Sequence, residues 1–181
     1  MFLMRKYVRD RGGAAAVEFA LVAGLFIMAL LFVMTVATIL FINQSLDYAT
    51  TRASRQIMTG AAQAQSMDQG GFRTVLCGYL PAVLKCSNVM INLYVVTTGS
   101  SPSGYYSFVK SDMSGLALPA LAPGSGQYTL GSRGAYQYLL VMYPITFMPS
   151  AFASILGGSA TYNGAPAYLT VSTAAFRNEL F

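Results

Sequence analysis

The longest pattern in the chain is an uninterrupted apolar one. Between Ala20 and Ile42 stand 23 residues without a charge, enough to span about 34 Å as a helix at ~1.5 Å per residue, which is a membrane-crossing length. The pattern then changes period without breaking. Leu46, Ala49, Ala53, Ile57 and Ala61 recur at three- and four-residue spacing, while Asp47, Arg52, Arg55 and Gln56 fall on other faces. The same helix is therefore expected to continue as an amphipathic stalk to about Gly60 or slightly beyond.

Shorter periods follow. Gly70-Gly71 ends a polar link, and Phe72, Val75, Leu76, Tyr79 and Leu80 predict a short helix cut at or before Pro81, because proline disfavours helical geometry in the residue ahead of it. Val89, Ile91, Leu93 and Val95 alternate with Met90, Asn92, Tyr94 and Val96, the pattern of a strand with one better-buried face. A turn is expected at 99–104, a second strand at 105–110 and a Pro/Gly-rich loop at 115–126. From Tyr136 to Tyr143 both parities are apolar, as in a central strand covered by the helix on one face and by loops or a partner on the other. Pro144 and Pro149 bracket the residues that follow, and 151–156 suit one or two helical turns. Glycine turns at Gly157-Gly158 and Asn163-Gly164 lead to a last strand, where Leu169, Val171, Thr173 and Ala175 alternate with Tyr168, Thr170, Ser172 and Ala174. The expected class is α+β: a long N-terminal transmembrane helix that continues as an amphipathic stalk and packs on a small antiparallel β-sheet domain.

Composition narrows this picture. A length of 181 residues allows one membrane segment and one small domain. Charged residues are 9% of the chain and apolar residues 55%, against roughly 25% charged in ordinary soluble proteins, so part of the chain lies in lipid or against partners. Of the net charge of +5, Arg5, Lys6, Arg9 and Arg11 against Asp10 supply +3, which leaves no basic patch in the body of the chain and argues against nucleic-acid binding. The basic arm before the apolar run places the N-terminus in the cytoplasm and the bulk of the chain outside. Histidine is absent, which excludes histidine-based triads and most zinc patterns. No cofactor, metal or small-molecule substrate is implied. A secretory signal peptide fits poorly, because its apolar core is about 7–15 residues and its small-residue cleavage site comes after that core. Here Gly12 to Ala16 precede it.

Glu18 is the one acidic residue at the start of the apolar run. Near a bilayer centre such a group costs roughly 2.5–3.5 kcal/mol, and less among headgroups. If the chain is cut after Gly13, Ala14 becomes the first residue, Glu18 the fifth and Phe19 the sixth. Glycine before the cut, glutamate at the fifth position and an aromatic at the sixth resemble the processing site of type IV prepilin-like proteins. Glycine allows close backbone approach in a protease site. Glu18 can pair with the freed amine of Ala14, its own or a neighbour's, which removes the burial cost when helices pack. Ala16, Ala20 and Gly24, four residues apart, form either a small-residue packing face or ordinary membrane-helix composition.

Within that group, Arg11-Gly12-Gly13-Ala14-Ala15-Ala16-Val17-Glu18-Phe19-Ala20-Leu21-Val22 is similar to the start of the TadE-like minor pilins (pseudopilins) of tight-adherence, Flp-type pili. The stretch Thr173 to Phe181 resembles the family's closing strand and its Arg-Asn-Glu-Pro-aromatic terminus, with Leu180 in place of the usual proline. The resemblance implies a type IV pilin-like architecture and a position in the bacterial cytoplasmic membrane. It implies removal of residues 1–13 by a prepilin peptidase and a non-catalytic role among other pilin subunits and the pilus assembly machinery. The chain then divides into a basic leader at 1–13, a transmembrane helix at 14–42, an amphipathic extension at 43–65 and an extracytoplasmic α+β domain at 66–181.

Cys77 and Cys86 would lie about 13 Å apart in a continuous helix, beyond the roughly 7 Å limit for a disulfide. Pro81 breaks that helix, so the pair can close in an oxidising compartment, or remain two buried thiols. Rival functions are a membrane-anchored enzyme, an unprocessed single-pass receptor or adhesin, and a pseudopilin of a secretion system. The enzyme reading finds only Ser107-Phe108-Val109-Lys110, a bare Ser-x-x-Lys match without its Ser-Asp-Asn and Lys-Thr-Gly companions. The receptor reading leans on the tyrosines of the C-terminal half, which are equally normal in small sheets.

Overall fold

The computed structural model describes residues 12–96, 124–146 and 160–180. The features expected at 99–104, 105–110, 151–156 and Gly157-Gly158 lie outside the described residues, as does most of the 115–126 loop and the Ser107/Lys110 pair. The chain divides into two compact units, Met1–Leu40 and Phe41–Phe181.

Helix α1, Gly12–Met58, belongs to both units. In the first unit most of its apolar side chains are exposed: Phe19, Leu25 and Val22 keep 74%, 72% and 68% of their surface, while Ile39, near the unit's end, is buried. By length and composition this is a helix able to cross a membrane. Its hydroxyls do not oppose that. Thr35 and Thr38 donate to the carbonyls of Leu31 and Met34, both at 2.8 Å, so each finds its partner one turn back within the helix.

In the second unit α1 buries a single stripe, Ile42, Leu46, Ala49, Thr50, Ala53, Ser54 and Ile57, at the spacing of one helical face. Gly60, at φ 81° and donating to the Ile57 carbonyl at 3.1 Å, turns the chain out of the helix in the left-handed conformation that glycine adopts at low cost. A single turn, α2 (Ala61–Ala64), follows. Helix α3 is Gln69–Cys77, with Asp68 as its N-cap accepting from the Gly71 N–H at 2.7 Å. It thus starts earlier than its apolar residues suggest and ends before Tyr79 and Leu80.

Four strands, β1 (Met90–Val96), β2 (Tyr136–Ile145), β3 (Ala160–Tyr162) and β4 (Ala165–Arg177), form an antiparallel sheet in the order β1-β2-β4-β3. The expectation of a long helix with a small antiparallel sheet is met, and the class is α+β. β2 is central, as its two apolar parities predict. One face of the sheet carries Met90, Leu140, Met142, Tyr162 and Ala167 as a buried cluster. The register puts Ile91, Leu93, Leu139 and Val141 on the opposite face, and these are buried as completely. Thr170 and Ser172 of β4, on that face, are buried too, and so are the small residues of the α1 stripe.

Two details depart from the expected pattern. β2 does not stop at Tyr143 but runs through Pro144, paired with Leu169, to Ile145. The reason lies in the alternation of the ladder. Leu93 turns its N–H and carbonyl outward to Gln127 and Thr129, so Met90 and Asn92 face β2, and Met142 and Pro144 face β1. β1 begins at Met90, and the N–H that proline lacks would point where no ladder continues. The second departure is β3, absent from the expectation. Asn163 and Gly164 have φ values of 50° and 77° and join Tyr162 to Ala165 in a two-residue hairpin, the geometry such Asn-Gly pairs favour.

Candidate functional site

Three sets of residues named from the sequence can now be placed. Gly13, Ala14, Glu18 and Phe19 lie within α1, all exposed. At both Gly13 and Gly24 an added Cβ would meet nothing within 4 Å among the described residues, so neither glycine is required by packing against them. Ala16, Ala20 and Gly24 are separated by about one turn each and share a helix face by their spacing. The resulting surface is an accessible helix carrying one carboxylate, with a small-residue stripe beside it.

The second set is Cys77 and Cys86, which are disulfide-bonded with Cα atoms 5.7 Å apart. Leaving α3, the chain folds back through hydrogen bonds from the Leu80 N–H to the Cys77 carbonyl at 3.1 Å and from the Leu84 N–H to the Pro81 carbonyl at 2.9 Å. The Lys85 N–H donates to the Tyr143 hydroxyl at 3.2 Å, and a 3₁₀ turn at Cys86–Asn88 leads into β1. The covalent bond thus closes the loop between α3 and the 3₁₀ turn, and the hydrogen bond to Tyr143 ties it to the sheet.

The third set is the Arg177-Asn178-Glu179 run at the end of β4. Each residue is used. The Arg177 Nε donates to the Gly134 carbonyl at 3.1 Å, and its guanidinium lies 5.5 Å from the Tyr136 ring centre. The buried Asn178 side chain donates to the carbonyls of Gly131 and Ser132 at 3.0 and 2.9 Å. The Asn178 N–H reaches Ala135 at 2.9 Å, and the Glu179 N–H reaches the carbonyl of Met58, the last residue of α1, at 2.8 Å. This clasp ties the final strand to the loop before β2 and to the end of the long helix.

Amide side chains that pattern reasoning passed over complete the arrangement. Gln63 donates to the Gly131 carbonyl at 3.2 Å, and a Cβ at Gly131 would overlap the Gln137 amide. Gln69 donates to the Ile91 carbonyl at 2.8 Å, and Asn92 accepts from the Gln127 N–H at 3.2 Å. Together with Leu93 these cover the outer edge of β1, which would otherwise offer unpaired backbone to another chain. Phe72 and Tyr128 lie ring to ring at 5.8 Å over the same segment. Burial, reinforced by the Asp68 carboxylate, holds the Tyr128 hydroxyl above its ordinary titration range, so it stays a neutral phenol. Buried polar residues at apolar parity, Asn92 and Gln137, were the available signal.

Asn178→Ala is expected to lower stability by about 1–3 kcal/mol, because it removes a buried donor to the Gly131 carbonyl and the donor to the Ser132 carbonyl. Faster hydrogen exchange of the Asn178 and Glu179 amides would accompany the loss. Unchanged exchange in the full-length variant would mean that the clasp does not hold the strand end.

The fold and these placements define a class first: a small α+β domain continuous in sequence with an N-terminal helix able to anchor it in a membrane. The comparison with known families then makes it specific. Residues 13–55 match the family described as TadE-like protein, so the N-terminal helix of this chain is similar to that family over this segment. Neither the curated proteins nor the solved structures give a match.

Proposed function

We propose that this chain is a minor pilin or pseudopilin that takes part in building an adhesive tight-adherence pilus. The observation that carries this reading is the TadE-like match, which begins at Gly13 and takes in Glu18 and Phe19. A prepilin peptidase removes residues 1–13, and the new N-terminus at Ala14 lies one helical turn from Glu18. The helix anchors the protein in the bacterial cytoplasmic membrane with its N-terminus inside and the α+β domain outside. Other pilin subunits meet it along α1, where Glu18 and the Ala16/Ala20/Gly24 stripe are accessible. The role is structural, and no nucleic acid, cofactor or small-molecule substrate enters it.

Glu18→Ala tests the assembly step. The variant is expected to insert in the membrane normally, since removing a carboxylate from an apolar helix lowers its insertion cost by up to roughly 2.5–3.5 kcal/mol. Pilus assembly should nevertheless be impaired, because the amine of Ala14 loses its partner. Shearing pili from cells and weighing the product against wild type, with membrane levels of the variant measured in parallel, separates the two effects. Wild-type yield of pili would remove Glu18 from the mechanism.

A further inference from the structure

The loop closed by Cys77 and Cys86 has a composition its position must explain. Residues 78–84, Gly-Tyr-Leu-Pro-Ala-Val-Leu, carry no charge, yet Val83 is 74% and Tyr79 39% exposed. The disulfide closes the loop at its base, the Lys85 to Tyr143 hydrogen bond holds it to the sheet, and Leu84 is buried. An apolar surface is therefore presented rather than folded away.

Its neighbour on α1 indicates what meets it. Tyr79, Leu80 and Pro81 line a groove of about 470 Å³ together with Phe41, Gln44, Ser45 and Tyr48. Phe41 belongs to the end of the uncharged run, and Gln44 and Ser45 lie two and three residues beyond Ile42, about 3–5 Å further along the axis at ~1.5 Å per residue, with Tyr48 one turn past them at the outer edge. The headgroup layer on each side of a bilayer is roughly 5–8 Å deep. Tyrosines concentrate at that level, where the ring meets acyl chains and the hydroxyl meets water. The Arg52 guanidinium stands 5.4 Å from the Tyr48 ring centre, and Lys85 is exposed at the end of the loop. These cations suit lipid phosphates, against the single carboxylate of Asp47 on this part of the helix.

We infer that the Cys77–Cys86 loop is a membrane foot, seated in the phospholipid headgroup layer of the bilayer that α1 crosses, with the groove between loop and helix occupied by lipid. The foot rests on the membrane-anchor reading above. It fixes the height of the domain over the bilayer, and the disulfide keeps the apolar loop extended for that contact.

The chain contains no tryptophan, so single tryptophans report position cleanly. Tyr79→Trp, Val83→Trp, Leu31→Trp and Gln65→Trp variants of the full chain are reconstituted in vesicles whose phospholipids carry bromine either near the headgroup or at mid-chain. Tyr79→Trp and Val83→Trp should lose most of their emission to headgroup-proximal bromine and little to mid-chain bromine. Leu31→Trp should show the reverse, and Gln65→Trp neither. If the two loop variants behave like Gln65→Trp while Leu31→Trp is quenched, the anchor stands and the foot is wrong. If Leu31→Trp is itself unquenched, the anchor reading fails and the foot with it. Loop emission that ignores bromine but shifts with protein-to-lipid ratio would give the groove to a second copy of the chain and also overturn the inference.

Discussion

A chain carrying Gly13→Leu is expected to keep residues 1–13 in cells where the wild-type chain loses them. The structure makes this substitution informative, because nothing among the described residues lies within 4 Å of the position a Cβ would take at Gly13. Leucine also favours a helix over glycine by nearly 1 kcal/mol, so α1 gains rather than loses stability. A block in cleavage would therefore report the close backbone approach a protease needs, with no contribution from misfolding. Intact mass of the membrane-extracted protein reads the result directly. Gly13→Ala, which adds one methyl group, should be cut partially, and normal cleavage of Gly13→Leu would refute the proposed processing site.

Phe72→Ala is expected to destabilise the α+β domain by about 3–5 kcal/mol, the usual consequence of emptying a large buried aromatic site. Phe72 is fully buried. Its ring meets Tyr128 at 5.8 Å, in the segment that covers the edge of β1, and an aromatic pair adds ~0.5–1.5 kcal/mol beyond burial. The loss should therefore reach past the cavity and loosen that edge. Thermal unfolding of the full chain in detergent, followed by tyrosine near-UV signal, measures it. Val83→Ala, at a 74% exposed position, serves as the near-neutral comparison. A Phe72→Ala variant melting with the wild type would show that α3 is not part of the cooperative core.

How much of this was legible beforehand depended on the range of the forces involved. α1 was readable because its signals are local: an uncharged run long enough for a bilayer, then a three- and four-residue period of which Leu46, Ala49, Ala53 and Ile57 are fully buried, while Ala61, the last of the series, lies past the helix end and is half-buried. β2 was readable for a similar reason, since apolar residues at both parities admit few placements other than the middle of a sheet. The start of α3 was legible too and was missed, because the apolar spacing from Phe72 onward drew attention away from Asp68, an ordinary N-cap. At its other end local pattern misled. Tyr79 and Leu80 continue the helical spacing, but α3 ends at Cys77, and these two residues line the groove beside α1.

What depended on distant partners was not legible. Pro144 reads as a strand breaker until the length of β1 is known, and β3 reads as a loop until β4 supplies its ladder. The Arg177-Asn178-Glu179 run was noticed by resemblance alone. Its physical meaning needed Gly134, Gly131, Ser132, Ala135 and Met58, between 43 and well over 100 positions away in sequence.

By itself the sequence determined the α+β class, the long helix with its anchor-length run, and the constellation of Gly13, Glu18 and Phe19 that suggests processing and assembly. The first two are properties of composition and period and the third is a resemblance to prepilin-like processing sites, and all survive without knowledge of what touches what. Only the tertiary structure decided how the strands order themselves, why a proline sits in the central strand, how the chain's end is clasped to the end of α1, and that an uncharged disulfide loop stands beside the helix at residues 41–48. Each of these is a relation between segments far apart in the chain, settled by which backbone groups find partners and which surfaces remain to be covered.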